Sequence, residues 1–220
     1  MVVGDLLTRN ARKFPEYVAI RQDGVSVTYR ELNDRANRLA NALIARGLEK
    51  GDRVGVHLRS MYQFIEIYFA AAKAGAVFCP FNAAFREKEL AGIIKYSEPR
   101  YLFFEDISAE RIDAIRHESG APKQFICLGK SSACRTEDPP FLDYDTLVSD
   151  GSPAEPEVAV NDNDVMSIFF TSGTTGKPMG AVRTHRHLLT AAYTIAIEER
   201  VYYENSQLNL FVGIRANIFL

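Results

Sequence analysis

The stretch Arg53-Val-Gly-Val-His-Leu58, then Met61-Tyr-Gln-Phe-Ile-Glu-Ile-Tyr-Phe-Ala-Ala-Ala-Lys-Ala74, Gly75 and Ala76-Val-Phe-Cys-Pro-Phe81 decides the fold. The first run is apolar and rich in valine, so it reads as a strand. Ser60 and Gln63 have the spacing of a capping box, which opens a helix that Gly75 ends. The second apolar run reads as a buried strand, with Pro80 at its end. A strand, a helix and a second strand in succession form the repeating unit of a parallel sheet covered by helices.

The same alternation extends in both directions. Toward the amino terminus, residues 3–14 suggest a short helix, and Val18–Gln22 and Val25–Tyr29 suggest two strands joined at Asp23-Gly24, a hairpin turn pair. Thr28 and Glu31 form another capping box, opening a helix with Leu32, Ala36, Leu39 and Leu43 at core spacing and Gly47 after its last turn. Toward the carboxyl terminus, Phe85–Ser97 reads as a helix, Tyr101–Phe104 as a strand, residues near 108–117 as a helix and Phe125–Leu128 as a strand. The fold class expected is α/β, a largely parallel sheet flanked by helices.

Composition narrows the function. The chain has 220 residues, 26 Lys+Arg against 28 Asp+Glu, 47% apolar residues and a pI near 6.1. A near-neutral balance argues against a general nucleic-acid binder or a polybasic membrane binder. The segment 65–81 is interrupted by Glu66 and Lys73 and is too short to span a bilayer. The start, with Asp5 and Arg9 among few apolar residues, lacks a secretory h-region, so a cytoplasmic location is expected. Cys79, Cys127 and Cys134 form no Cys-x-x-Cys pair and read as reduced thiols.

The character changes after Thr136. Residues 137–164 hold nine carboxylates, four prolines and no Lys or Arg, and read as a solvated surface connection between an α/β unit over 1–136 and a further unit over 165–220. From Val165 to Ile197 there is no carboxylate, while Lys177, Arg183 and Arg186 fall there. Within that stretch the apolar run Val165–Phe170 enters Thr171-Ser-Gly-Thr-Thr-Gly-Lys-Pro-Met-Gly180. Glycines let backbone N–H groups turn toward an anion. The hydroxyls of Thr171, Ser172, Thr174 and Thr175 can donate to phosphate oxygens, and Lys177 adds a point charge. The pattern points to phosphate binding on a strand–loop–strand over 165–185, with 171–179 exposed and mobile when empty. It is not a Walker loop, because Pro178 follows Gly176-Lys177. The rival Gly129-Lys130-Ser131 has Gln124 where that motif requires glycine, so 129–132 reads as an ordinary loop.

The segment Thr171–Gly180 resembles the phosphate-binding signature of the adenylate-forming enzymes: acyl- and aryl-CoA synthetases, luciferases and nonribosomal-peptide adenylation domains. Tyr29–Val56 and Phe69–Asn82 are similar to the amino-terminal core of that family, and the likeness covers about residues 5–205. The resemblance implies the amino-terminal part of the family's large domain, here truncated. It further implies that Thr171, Ser172, Gly173, Thr174, Thr175 and Gly176 hold the β- and γ-phosphates of ATP, with Lys177 beside them. Two departures stand out. The family usually has a lysine where this chain has Met179, a charge that Lys177 is placed to supply in part. The family's later elements also find no counterpart: an aromatic-His segment, a Tyr-Gly-x-Thr-Glu loop, a ribose-binding Asp and a carboxy-terminal adenylation lysine.

The activity implied is an acid–CoA ligase using a small carboxylic acid, ATP with Mg²⁺, and CoA, carried here as an amino-terminal fragment that is inactive alone and self-associates through its cut sheet edge. An amino-acid adenylation domain and a noncatalytic nucleotide-binding fragment are the alternatives. His185 sits at the family's usual Thr-His step and is an accompanying candidate, structural or catalytic. His185 and His187 have no carboxylate or cysteine near them in sequence, so no metal site is expected. His57 and His117 read as incidental.

Overall fold

The computed structural model describes residues 1–59, 61–118, 120–129, 134, 141–172 and 178–198. Helix α1 (Val3–Lys13) precedes the antiparallel hairpin β1 (Val18–Gln22) and β2 (Val25–Thr28). Asp23 and Gly24 at its turn have φ of 48° and 80°, the left-handed pair that a two-residue hairpin requires. Helix α2 (Tyr29–Ala45) begins with the expected capping box: Glu31 N–H donates to Thr28 Oγ1 at 3.2 Å, and Thr28 N–H donates to Glu31 Oε2 at 2.7 Å.

The main sheet then forms from β3 (Arg53–His57), α3 (Tyr62–Ala74), β4 (Val77–Pro80), α4 (Glu87–Ser97), β5 (Tyr101–Glu105), a 3-10 turn (Asp106–Ser108), α5 (Ala109–Ile115) and β6 (Gln124–Leu128). It continues through β7 (Leu142–Asp143), α6 (Tyr144–Asp150), β8 (Val165–Ser172), β9 (Pro178–Thr184) and α7 (His185–Glu198). Its seven strands lie in the order β7-β6-β5-β3-β4-β8-β9, all parallel except β9. The α/β expectation is met.

Alternate residues of each strand face two cores. Val54, Val56, Phe78, Phe103 and Met166 pack under α1, α2, α3, α6 and α7, whereas Val77, Cys79, Leu102, Phe104 and Phe125 pack under α4 and α5. Burial on both faces is why these strands read as continuous apolar runs rather than alternating ones. Gly75 ends α3 at φ 68° as expected. Met61 occupies the cap position of that helix, so Gln63 falls one place too early for the expected box; Ser60 lies outside the described residues.

One expectation is refined and one corrected. First, the described carboxylates of the acidic segment stay unburied, as a surface connection requires, but the segment carries short elements that pack. Helix α6 buries Tyr144, Leu147 and Val148, and residues 151–155 lie along α2. There Asn37 Nδ2 donates to Pro153 O at 2.9 Å, Asn41 Nδ2 to Ser152 O at 2.8 Å, and Arg38 Nη1 to Gly151 O at 2.9 Å. A Cβ on Gly151 would stand 1.9 Å from Arg38 O, so only glycine allows this approach. Second, Cys127 and Cys134 are joined as a disulfide, with Cα atoms 6.2 Å apart. The chain after β6 returns within bridging distance, which a separation of seven residues did not reveal. Cys79 is free and buried, and burial pushes its thiol up to about 12.

Among the described residues, no helix is long and apolar enough to cross a membrane.

Candidate functional site

Strands β8 and β9 form the expected hairpin, with Phe170 opposite Gly180, Thr171 opposite Met179 and Ser172 opposite Pro178. The strand–loop–strand reading holds for both flanks. Gly173, Thr174, Thr175, Gly176 and Lys177, and the expected mobility of their loop, lie outside the described residues. Of the predicted phosphate ligands, Thr171 and Ser172 are therefore placed at the end of β8.

Topology sets where that end points. Ser167 pairs with Phe78, so Phe169 comes level with Pro80, the last residue of β4. Phe170, Thr171 and Ser172 run on past it, about 10 Å at strand rise. The hairpin thus projects beyond the carboxyl ends of the parallel strands. Strand β3 is the point where the chain reverses its progression across the sheet, having β4 on one side and β5 on the other. In open α/β sheets, ligands bind in the crevice outside the carboxyl ends at such a reversal. The Phe170 ring packs 6.0 Å from both Phe81 and Tyr96, which braces the projecting hairpin against α4. A Cβ on Gly180 would lie 2.9 Å from Ile168 Cγ2 and 3.3 Å from Phe170 Cε1, so glycine lets β9 close on those side chains.

The root of the hairpin is tied down from several directions. His185 N–H donates to Asp164 O at 3.1 Å, closing the base. Lys50 Nζ lies 2.6 Å from Asp164 Oδ2; this pair and the Asn161 N–H hold the Asp164 carboxyl below its usual range. Arg186 pairs with Asp162 at 3.0 Å. Thr184 and His187 cap α7 reciprocally: His187 N–H donates to Thr184 Oγ1, and Thr184 N–H to His187 Nδ1, both at 3.3 Å. The His185 side chain is fully buried, and its Nδ1 accepts from Val3 N–H at 3.2 Å. Each histidine accepts a backbone N–H at Nδ1, while His185 Nε2 is buried with no hydrogen-bond partner among the described residues.

Sequence reasoning passed over a polar group at the carboxyl edge. His57, at the end of β3, is 2% exposed. Neither ring nitrogen has a well-aligned hydrogen bond among the described residues. Burial, with help from the Arg111 guanidinium, pulls its pKa down to about 4 against the opposing pulls of Glu105 and of a contact with the Asn82 backbone. Glu105, buried at the end of β5, accepts from Arg59 Nε at 2.7 Å and from Arg59 N–H. Nothing in an isolated histidine after four strand residues signals this, because Glu105 and Arg111 come from elements nearly fifty residues on. A separate cleft of about 380 Å³ is lined by Asp5, Thr8, Lys73, Glu155 and Asp162 among others, and by no residue of the hairpin.

The AMP-binding enzyme family matches residues 7–212. The chain belongs to that family. Among members of the AMP-binding family, it is similar to an acyl-CoA ligase, SidI, of Aspergillus fumigatus, at 30% identity over 86% of this chain and 34% of that protein. It is likewise similar to the long-chain-fatty-acid–CoA ligase FadD13 of Mycobacterium tuberculosis, at 31% identity over 92% of this chain and 39% of that protein. A solved structure of a putative long-chain-fatty-acid CoA ligase from Rhodopseudomonas palustris superposes with a TM-score of 0.80 at 28% identity, covering 91% of this chain and 48% of the other. The chain thus spans between a third and two fifths of the length of these curated relatives.

Proposed function

We propose that this chain is the amino-terminal, phosphate-gripping part of an ATP-dependent carboxylic acid–CoA ligase. The observation that carries the reading is the hairpin: the ends of β8 and β9 that flank the Thr171–Gly180 signature project beyond the carboxyl edge of a parallel sheet, in a chain of the AMP-binding family. In such a ligase a carboxylate attacks the α-phosphorus of ATP and pyrophosphate leaves; CoA thiolate then displaces AMP from the acyl-adenylate.

The chain's own contribution lies at the leaving end. Thr171, Ser172, Thr174 and Thr175 would supply hydroxyl donors to the β- and γ-phosphates, Gly173 and Gly176 backbone N–H groups, and Lys177 an ammonium. Preorganised donors of this kind stabilise charge as it develops on a departing group. The donor set suits a polyanion, because β8, β9 and α7 carry no carboxylate before Glu198. Mg²⁺ bound to the phosphates would neutralise further charge on pyrophosphate.

The organisation that goes with this reading is an α/β unit over 1–136, a connection over 137–164, and the start of the ATP-binding unit over 165–220, in a cytoplasmic protein. By itself the 220-residue polypeptide grips phosphate but does not turn over. Positioning of the carboxylate and ribose can supply about 7–11 kcal/mol of a barrier, and no residue here is assigned to it. The isolated chain self-associates on the β9 side of its sheet, where Val182 is 54% exposed.

The test is equilibrium binding of MgATP to the 220-residue chain, alongside acid-dependent pyrophosphate exchange over fatty and aryl acids. Binding without exchange is the expected result. No binding would remove the phosphate-loop assignment, and brisk exchange would show that the positioning groups are already present.

A further inference from the structure

We infer that His185 is a positioning residue for the phosphate loop: its neutral imidazole caps α1 and thereby fixes the root, and so the direction, of the projecting β8–β9 hairpin. The inference rests on the assignment of 171–177 as the phosphate loop.

The need for such a residue arises at the other end of the chain. The first N–H groups of a helix have no acceptor within the helix. Val2, at the cap position of α1, has no side-chain oxygen to offer. Val2 N–H is taken by Asp5 Oδ2 at 2.8 Å, and Val3 N–H by His185 Nδ1 at 3.2 Å, across 182 residues of sequence. One side chain from the end of the hairpin thus completes the cap of the first helix.

The bond specifies a protonation state. Nδ1 accepts only through its lone pair, so the proton resides on Nε2 and the ring is neutral. An imidazolium would lose the acceptor and would also face the positive end of the α1 dipole. Burial pulls the ring down to about 4, Lys50 acting in the same sense; Asp164, Asp5 and Asp162, which face the ring, pull the other way.

The same residue governs the hairpin through its backbone. His185 is the first residue after β9, and its N–H closes the hairpin on Asp164 O, the last residue before β8. Among the described residues, β8 meets the rest of the sheet only along β4, and β9 meets only β8. Beyond β4 the hairpin is a two-stranded ribbon braced on one side by Phe170 against Phe81 and Tyr96, so its aim depends on how its base is seated as well as on that contact. The seven residues of β9 from Thr184 back to Pro178 carry any tilt at the base about 20 Å outward to the loop. His185 joins this base to α1, which packs on α2 and α3.

The experiment compares the 220-residue chain with His185→Asn, whose side-chain oxygen can take the place of Nδ1 as acceptor, and with His185→Leu, which has no acceptor. Three readings are taken: imidazole ¹⁵N shifts of the parent, hydrogen exchange of the Val3 and β8–β9 amides, and affinity for inorganic tripolyphosphate. Expected are an unprotonated Nδ1 at pH 7, at least tenfold faster Val3 and hairpin exchange in His185→Leu, and tripolyphosphate binding weakened about fivefold or more. His185→Asn should restore exchange and affinity to within about twofold of the parent. A protonated Nδ1 in the parent would overturn the inference without needing any variant to fold. Equal exchange and affinity in His185→Leu and the parent would overturn it too, as would a loss that His185→Asn fails to restore. If the parent binds no tripolyphosphate, the phosphate-loop assignment fails and the positioning role falls with it; retained Val3 protection would then show that only the α1 cap stands.

Discussion

Lys73 Nζ lies 2.6 Å from Glu155 Oε2, joining the end of α3 to the acidic segment 137–164. The pair is completed by Thr8 on α1 and Asn33 on α2. Lys73 Nζ donates to Thr8 Oγ1 at 2.8 Å and to Asn33 Oδ1 at 2.9 Å, and Asn33 Nδ2 donates to Glu155 Oε1 at 2.9 Å. Four segments distant in sequence therefore meet at one charge. Burial pulls the Lys73 ammonium below the ordinary lysine range even with Glu155 beside it. Burial raises Glu155, but the bonds from Lys73 and Asn33 outweigh it and hold the carboxyl below its usual value. The attraction is thus largely offset by desolvation of the lysine.

The two ends of that pair should respond unequally. The Lys73 side chain is 4% exposed and that of Glu155 39%. Glu155→Ala strands a buried ammonium, whereas Lys73→Met leaves a carboxylate that water can reach. Breaking a fully buried pair costs about 3–5 kcal/mol; with Glu155 over a third exposed, screening reduces this to about 1–2 kcal/mol for Glu155→Ala. Lys73→Met should cost less. Urea unfolding of both variants checks the order, and equal losses would contradict it. Because the folded Glu155 pKa is depressed, its contribution is present above the unfolded carboxylate value and is lost as pH falls through the folded one.

A fully buried carboxylate holds α6 in place. Glu66, fully buried on α3, accepts from Arg35 Nε at 2.5 Å, Arg35 Nη2 at 3.1 Å and Tyr144 Oη at 2.5 Å. Replacing it by Leu leaves the partly exposed Arg35 guanidinium and the buried Tyr144 hydroxyl without their acceptor. The expected loss is about 3–5 kcal/mol, and Tyr144→Phe alone should cost about 1–2 kcal/mol. Thermal or urea unfolding of the two single variants and the double variant measures the coupling, which should exceed about 0.5 kcal/mol for groups in direct contact.

Stability should fall with acid through His57. Its folded pKa is depressed from 6.5 to about 4, so in that window the unfolded chain binds a proton that the folded chain does not. Stability is then intact above about pH 6.5 and declines toward pH 4. The His57 share of the decline should reach about 2 kcal/mol between pH 7.5 and 5, since each tenfold difference in proton affinity is worth roughly 1.4 kcal/mol; His185, also held at about 4, adds a decline of the same sign. His57→Leu should remove most of that part of the decline, read from denaturant midpoints at the two pH values. An unchanged pH dependence in the variant would refute the assignment.

Charge at the loop is also adjustable. Met179 stands where the family usually has lysine and pairs with Thr171 across the hairpin. Met179→Lys should tighten MgATP binding to the chain by about 1 kcal/mol, near fivefold, as an exposed charge-assisted contact is added. Lys177→Ala should weaken it by a similar or larger factor. Identical affinities in the parent and both variants, measured by calorimetry, would show that neither position meets phosphate.

Much of the fold was legible because its causes are local. The Thr28–Glu31 box, the Asp23-Gly24 turn, the Gly75 stop and the buried positions Leu32, Ala36, Leu39 and Leu43 each follow from spacing within a few residues. What escaped depends on distant partners. Helix α6 has only seven residues, too few to show a period, and it is secured by Tyr144 meeting Glu66 on α3. The anchors of the acidic segment, Asn37, Arg38, Asn41 and Lys73, could not be read because they lie on helices more than eighty residues upstream. At the site, the hydroxyl–glycine–lysine chemistry could be read directly. The cap that His185 gives to α1 could not, since no pattern in sequence links residue 3 to residue 185.

The most direct test of the phosphate-loop reading is an amide-shift titration of the isotopically labelled 220-residue chain with MgATP and with inorganic tripolyphosphate. Both ligands should perturb the same amides, concentrated in residues 171–180, and Lys177→Ala should weaken both in parallel. Saturable binding that leaves those amides unmoved, or no binding of either ligand, would contradict it.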